Sequence, residues 1–183
     1  MSHGHGHADH GGGHKSIGLL IAVLALILAF AETLGKSAQT ASVHYNVESL
    51  NLWSFFQAKT IRQTTLRTAA EQTQVLSSSD AAKKQIEKWR DTAQRYQSEP
   101  ETGEGREQLM ARAKDAEKKR EQAMAAYHHY ETASAAVQIA IVLASASIIT
   151  SMVALVWIAG GLGILAVAFC VIGFFFPMAV HIF

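Results

Sequence analysis

TASAAVQIAIVLASASIITSMVALVWIAGGLGILAVAFCVIGFFFPMAVHIF, residues 132–183, contains no Asp, Glu, Lys or Arg. A membrane-crossing helix needs about 20 predominantly apolar residues to traverse a hydrocarbon core of roughly 30 Å. This run of 52 residues has length for two crossings, and Ala159-Gly160-Gly161 near its middle reads as the turn. The sequence therefore predicts a helical hairpin in a membrane, with spans at 136–158 and 162–183.

Working back towards the start, residues 17–34 form a third apolar stretch with one charge, Glu32. Its 18 residues are just enough to span. The same segment also has the parts of a secretory signal: Lys15 as basic flank, an apolar core, and Ala29-Phe30-Ala31 as an A-x-A cleavage site. The long His-rich stretch before it, residues 1–16, favours an uncleaved anchor over a signal.

Charge is confined to the segment between these spans. Fifteen of the sixteen Lys and Arg lie from Lys36 to Arg120, and thirteen of the fifteen acids from Glu48 to Glu131. Residues 35–135 thus carry +15 − 13 = +2. So balanced a segment lacks the clustered basic excess of a nucleic-acid face, and no nucleic-acid partner is expected. The single cysteine, Cys170, has no partner for an intrachain disulfide. With two prolines and abundant Ala, Gln, Glu, Lys and Arg, the charged segment favours long helices. The fold class is all-α: an integral membrane protein with three transmembrane helices and a polar antiparallel helical hairpin between spans one and two.

Two breaks shape that polar region. Ser77-Ser78-Ser79-Asp80 is a cluster of helix N-cap residues, and residues 98–105, SEPETGEG, form a loop around Pro100, Gly103 and Gly105. Between them Ile86, Trp89, Ala93 and Tyr96 recur at spacings of 3 and 4; beyond the loop Leu109, Ala113, Ala116, Arg120, Ala123, Tyr127 and Tyr130 do the same. Such stripes predict two helices packed through a thin, Ala-rich coiled-coil seam that relies on other helices or subunits for added burial. The second stripe runs into the second span without a breaker, which predicts one continuous rod.

Each span carries a line of small residues: Ala22, Ala25, Ala29 and Glu32; Ala136, Ala140, Ala144, Ser147, Ser151 and Ala154; Ala159, Gly163, Ala166, Cys170 and Gly173. Lipid offers no hydrophobic drive for helix association, so small faces mark where backbones approach. They predict a tight bundle, within the chain or as a homo-oligomer in the lipid bilayer. Glu32 precedes Lys36 at the spacing favoured for a helical ion pair, which predicts an intramembrane pair near the interface. A proton or ion role for Glu32 is the competing reading.

His3, His5, His7, His10 and His14 stand in the Gly-rich start. Imidazole suits Zn, Ni or Cu. The tail has neither the spacing of a closed site nor a helix to hold it, so the expectation is weak metal binding or none, and no cofactor. His128 and His129 are expected at the membrane interface.

Residues 53–62, WSFFQAKTIR, are too apolar for a solvated linker. Trp53 and Phe56 share a helix face, and Lys59 and Arg62 a neighbouring strip. Two uses fit: a packing platform for the helical hairpin, or contact with lipid headgroups. The segment resembles a signature, roughly W-x-[YF]-[YF]-Q-A-K-x-I-R, of a bacterial membrane family catalogued as domain of unknown function 4337. The matching residues here are Trp53, Phe55, Phe56, Gln57, Ala58, Lys59, Ile61 and Arg62. The resemblance covers nearly the whole chain and implies a three-span bacterial inner-membrane protein, without implying an activity. Members often carry Arg or Lys between the last two spans; this chain has Trp157-Ile158-Ala159-Gly160-Gly161 there, which removes that orientation cue.

No Ser/His/Asp, Cys/His, paired-carboxylate or phosphate-cradling signature occurs, so an enzyme is the least favoured class. The sequence reading is a membrane-anchored helical scaffold or self-associating structural protein whose protein partner it does not identify. The alternative is a small channel, transport accessory or metal-responsive protein using Glu32 and the His-rich tail.

Overall fold

The structure, a computed structural model, describes residues 11–179, with side chains from Lys15 onward. Four helices follow one another: α1 Gly11–Leu76, α2 Asp80–Gln97, α3 Arg106–Thr150 and α4 Val153–Phe175. No strand occurs among the described residues. Helices α1, α3 and α4 each contain a segment long and apolar enough to cross a membrane. The protein is an all-α membrane protein with three such spans.

One periodicity organises α1. Its buried residues are Leu24, Ala31, Gly35, Ser42, Ser49, Leu52, Lys59, Gln63 and Ala70, and every one falls on a single alternation of 3 and 4. That is the spacing with which a helix keeps one face on its neighbours. The repeat is hard to see in the sequence because its residues change from Leu and Ala to Ser, Lys and Gln.

The chain divides into two compact units. The first combines the segment up to Ala41 with residues 122 onward. Its core is Leu24 and Ala31 of α1, Ala133, Val137, Ala140 and Ala144 of α3, and Ala159 and Ala166 of α4. Small residues let the helices approach. A methyl group at Gly163 would lie 2.7 Å from Leu24, one at Gly35 3.4 Å from Tyr130, and one at Gly173 3.1 Å from the Tyr130 ring. Gly35, Tyr130 and Gly173 therefore mark one level. From that level Thr150 is 20 residues along α3, and Val153 is 20 residues back along α4. At about 1.5 Å per residue both distances are about 30 Å, the thickness of a hydrocarbon core. Outward-facing Leu19, Phe30, Ile149, Trp157, Ile164 and Phe174 are more than half exposed, as lipid contact requires and water would penalise.

The turn between the last two spans is not at Ala159-Gly160-Gly161. It is at Ser151-Met152, so the spans expected at 136–158 and 162–183 are displaced: α3 ends at Thr150, and α4 carries those glycines in its interior. Breaking a helix within lipid leaves backbone groups without partners, whereas glycine is tolerated inside a span where it admits a neighbour. At the actual turn Thr150 Oγ1 accepts from the Met152 N–H at 3.4 Å, and Ser151 takes a positive φ of 56°. The end of the expected last span, residues 180–183, lies outside the described residues.

The small faces of the later spans are buried: Ala140, Ala144 and Ser147, and Ala159, Gly163, Ala166 and Gly173. They pack inside the chain. Ser151 and Ala154, assigned to the second span's line, are exposed at and beyond the turn. The line on the first span reverses outright, with Ala22, Ala25, Ala29 and Glu32 all exposed while Leu24 and Ala31 face the core. Leu24 fills the space that the absence of a side chain at Gly163 leaves, so both residues face the core.

The second unit, Ser42–Glu121, holds the charged segment. Helix α2 begins where expected: Ser79 caps it, accepting from the Ala82 N–H at 3.2 Å. Ile86 and Ala93 of α2, and Leu109, Ala113 and Ala116 of α3, are buried as the stripes predict. The α3 stripe packs with Leu52, Trp53 and Phe56 of α1. The polar region is thus three-helical, and the missing burial of the two-helix seam comes from α1.

Candidate functional site

The segment 53–62 lies within α1, and the heptad turns part of it inward. Trp53 and Phe56 meet edge to face, 5.4 Å between ring centroids, against the Leu109–Ala116 stripe. The Trp53 indole N–H donates to Glu117 at 2.7 Å, so the ring buries its apolar body and keeps its polar edge paired.

Lys59 is the least expected buried residue. Its side chain is 7 % exposed, and its ammonium lies 3.8 Å from Glu99 and 3.7 Å from Glu104. The rings of Phe55 and Tyr96 approach the same nitrogen at 5.4 and 5.1 Å. A buried ammonium needs such partners, since desolvation alone would cost several kcal/mol. Both carboxylates come from the 98–105 loop, so Lys59 clamps that loop to α1.

One turn further on, Gln63 is 2 % exposed. Its Nε2 donates to the Ala93 carbonyl at 2.9 Å and to Gln97 at 3.2 Å. Its Oε1 accepts from Arg106, which also donates to Thr60 at 2.9 Å and lies 4.9 Å over the Phe56 ring. α1, α2 and the start of α3 are therefore joined through one side-chain network, in which each polar group offsets its loss of water.

The loop itself is held closed. Gln108 accepts from the Glu99 N–H and donates to the Ser98 hydroxyl, each at 3.2 Å. Only glycine fits at 105: a methyl group there would meet the Gln108 amide oxygen and the Glu99 backbone nitrogen, and would lie 2.8 Å from Ser98 Cα. The Arg95 hydrogen bond at 3.0 Å, joined by the Thr102 hydroxyl and the Arg95 and Lys59 charges, outweighs partial burial and holds the Glu99 carboxyl below the usual range. Hydrogen bonds from Gln97 and Ser98, with the Arg106 charge, do the same for Glu107.

Of the signature residues, Trp53, Phe55, Phe56 and Lys59 come together in this clamp. Gln57, Ile61 and Arg62 are exposed, and Ala58 is half-buried. Lys59 and Arg62 do not share a solvated strip, because the seam takes Lys59 inward. Gln63 and Arg106 were not singled out from the sequence; the heptad phase, 56-59-63, would have marked Gln63.

The expected Glu32–Lys36 ion pair is not formed; both side chains are exposed, and none of the ion pairs among the described residues joins them. A pair at this helical spacing contributes only about 0.2–0.5 kcal/mol, so the spacing alone does not hold it closed. His3, His5, His7 and His10 lie outside the described residues, and His14 falls in the first turn of α1. Among the described residues no group of His, Cys, Asp and Glu is arranged to hold a metal.

His129, one residue before the Tyr130 level, is buried. Its Nε2 is 3.2 Å from the Pro177 carbonyl, which can only accept, so Nε2 carries the proton. Phe169 stacks on the ring at 6.2 Å. Nδ1 has no hydrogen-bond partner.

A family model described as Domain of unknown function (DUF4337) matches residues 13–176. No curated protein and no solved structure matches the chain.

Proposed function

From the premise that this chain belongs to the DUF4337 family, we propose a non-enzymatic role: a membrane-anchored helical scaffold that self-associates. The observation that carries this reading is the use of the signature residues. Trp53, Phe56 and Lys59 face inward and join three helices and a loop, where a catalytic or transport site would present such groups to a substrate. The result is a stiffened surface for protein contact. Glu32 faces away from the packed helices of its unit, which favours this reading over an ion path. We place the protein in a bacterial inner membrane, as the sequence resemblance implies.

The test is the mass of the full chain solubilised in detergent, corrected for bound detergent. The scaffold reading expects a discrete oligomer that persists on dilution. A monomer at every concentration overturns it.

A further inference from the structure

The outward face of α1 opposite its buried seam is chemically odd. In the heptad whose inner positions are Ser42, Ser49, Leu52, Lys59 and Gln63, the outward side carries one strip of His44, Asn51 and Ala58, and beside it a strip taken by Val43, Val47, Leu50, Ser54, Gln57 and Ile61. All six of the latter are exposed, and Val43, Val47, Leu50 and Ile61 are each at least half exposed. Solvated helices put their charges at these positions. Here residues 37–66 contain only Glu48, Lys59 and Arg62 as charges; Lys59 is on the seam, and the other two lie beside it.

The hydroxyls along this face are turned inward. Thr40 donates to the Lys36 carbonyl at 2.9 Å, Ser54 to Leu50 at 2.8 Å, and Thr65 to Ile61 at 2.9 Å. Each satisfies its own helix and presents carbon outward. A face that reads as half polar is therefore largely apolar at its surface.

We propose that this face of α1 is the self-association surface, and that its occupant is the same face of a second copy in parallel register. This rests on the self-association reading above. Copies inserted by the same first span into one bilayer run their α1 helices in the same direction. Each residue of a two-fold pair then meets its own equivalent, and any charge would meet an identical charge. The absence of charge over this stretch is what such a pair requires; a different partner would favour complementary charges. Val43, Val47 and Leu50 meet at the spacing of a coiled-coil seam, with Gln57 as the polar position that sets register. Confinement to one bilayer raises the effective concentration, so a modest face suffices.

The experiment uses the full chain in membranes with Cys170→Ala, carrying Val47→Cys or, as control, the exposed α2 substitution Lys88→Cys. Mild oxidation should convert Val47→Cys to a disulfide-linked dimer and leave Lys88→Cys uncrosslinked. In detergent, the double substitution Val47→Lys with Leu50→Lys should lower the oligomer mass while leaving helix content unchanged. A discrete oligomer with no Val47→Cys dimer and no effect of the lysines overturns this surface while leaving self-association standing. A monomer throughout overturns both. Crosslinking of Val47→Cys to a different protein, or its shielding by lipid without crosslinking, also overturns the proposal.

Discussion

At the scale of single residues, Gly105 and Glu99 show how the loop controls the polar unit. Substituting Gly105→Ala forces a methyl group into the Ser98–Glu99 backbone, which cannot move aside as a flexible side chain would. Overpacking of this kind costs about 1–3 kcal/mol. The expected result is a lower midpoint for unfolding of the charged region, read by denaturant titration followed by Trp fluorescence. Glu99, with Glu107, carries pH dependence. Its folded carboxyl is held below the ordinary value by Arg95 first, then by Thr102 and Lys59. A depressed carboxylate contributes stability that is present above its unfolded pKa of about 4.3 and is lost as pH falls through the folded value. The charged region should therefore weaken on acidification below about pH 4. Glu99→Gln should flatten that part of the stability-against-pH curve, and an unchanged curve would assign the dependence elsewhere.

At the scale of elements, the important fact is that α1 supplies the third wall of the charged unit. Leu52, Trp53 and Phe56 cover the stripe that α3 presents. A fragment 42–121 should unfold cooperatively by circular dichroism. A fragment 80–121, lacking α1, should be weakly helical without a sharp transition, since short isolated helices are marginal in water. Equal cooperativity in the two would show that α1 is dispensable. In the membrane unit, Gly163→Leu places bulk where a methyl group alone would be 2.7 Å from Leu24. It should lower thermal stability by about 1–3 kcal/mol. The mass of the detergent-solubilised protein should not change, because this face is used inside the chain. Ile164→Leu, on an exposed position, should do neither.

At the scale of the molecule, the apolar length of α3 predicts that it crosses the bilayer once, so that residues before and after its apolar stretch are reached from opposite sides. In a Cys170→Ala background, Glu101→Cys and Ser151→Cys should react with a membrane-impermeant thiol reagent from opposite faces. Labelling of both from one face would remove the second crossing. The probe belongs at Ser151 because the turn is there. Residues 160 and 161 lie eight to nine residues into the next helix, about 12 Å along it, and report on the lipid region instead.

Composition and periodicity alone determined that this chain is helical, that residues 17–34 and the uncharged run after Thr132 belong in lipid, and that Ser79 and the 98–105 loop bound α2. These are local properties: apolar length, hydroxyl caps, and the inability of proline to continue a helix. The tertiary structure decided which face of each helix is inside. On the first span it chose Leu24 and Ala31 over the Ala22–Glu32 line, because a large residue on α1 complements Gly163 on α4. It moved the membrane turn to Ser151-Met152, because glycines within a span serve close packing. It buried Lys59, which reads from the sequence as a surface charge, because two carboxylates and the Tyr96 ring from distant residues converge on it beside its neighbour Phe55. The heptad phase puts position 59 on the inner face, but the partners that make burial of a charge possible there, Tyr96, Glu99 and Glu104, come from 37, 40 and 45 residues away along the chain, and no local pattern carries that information.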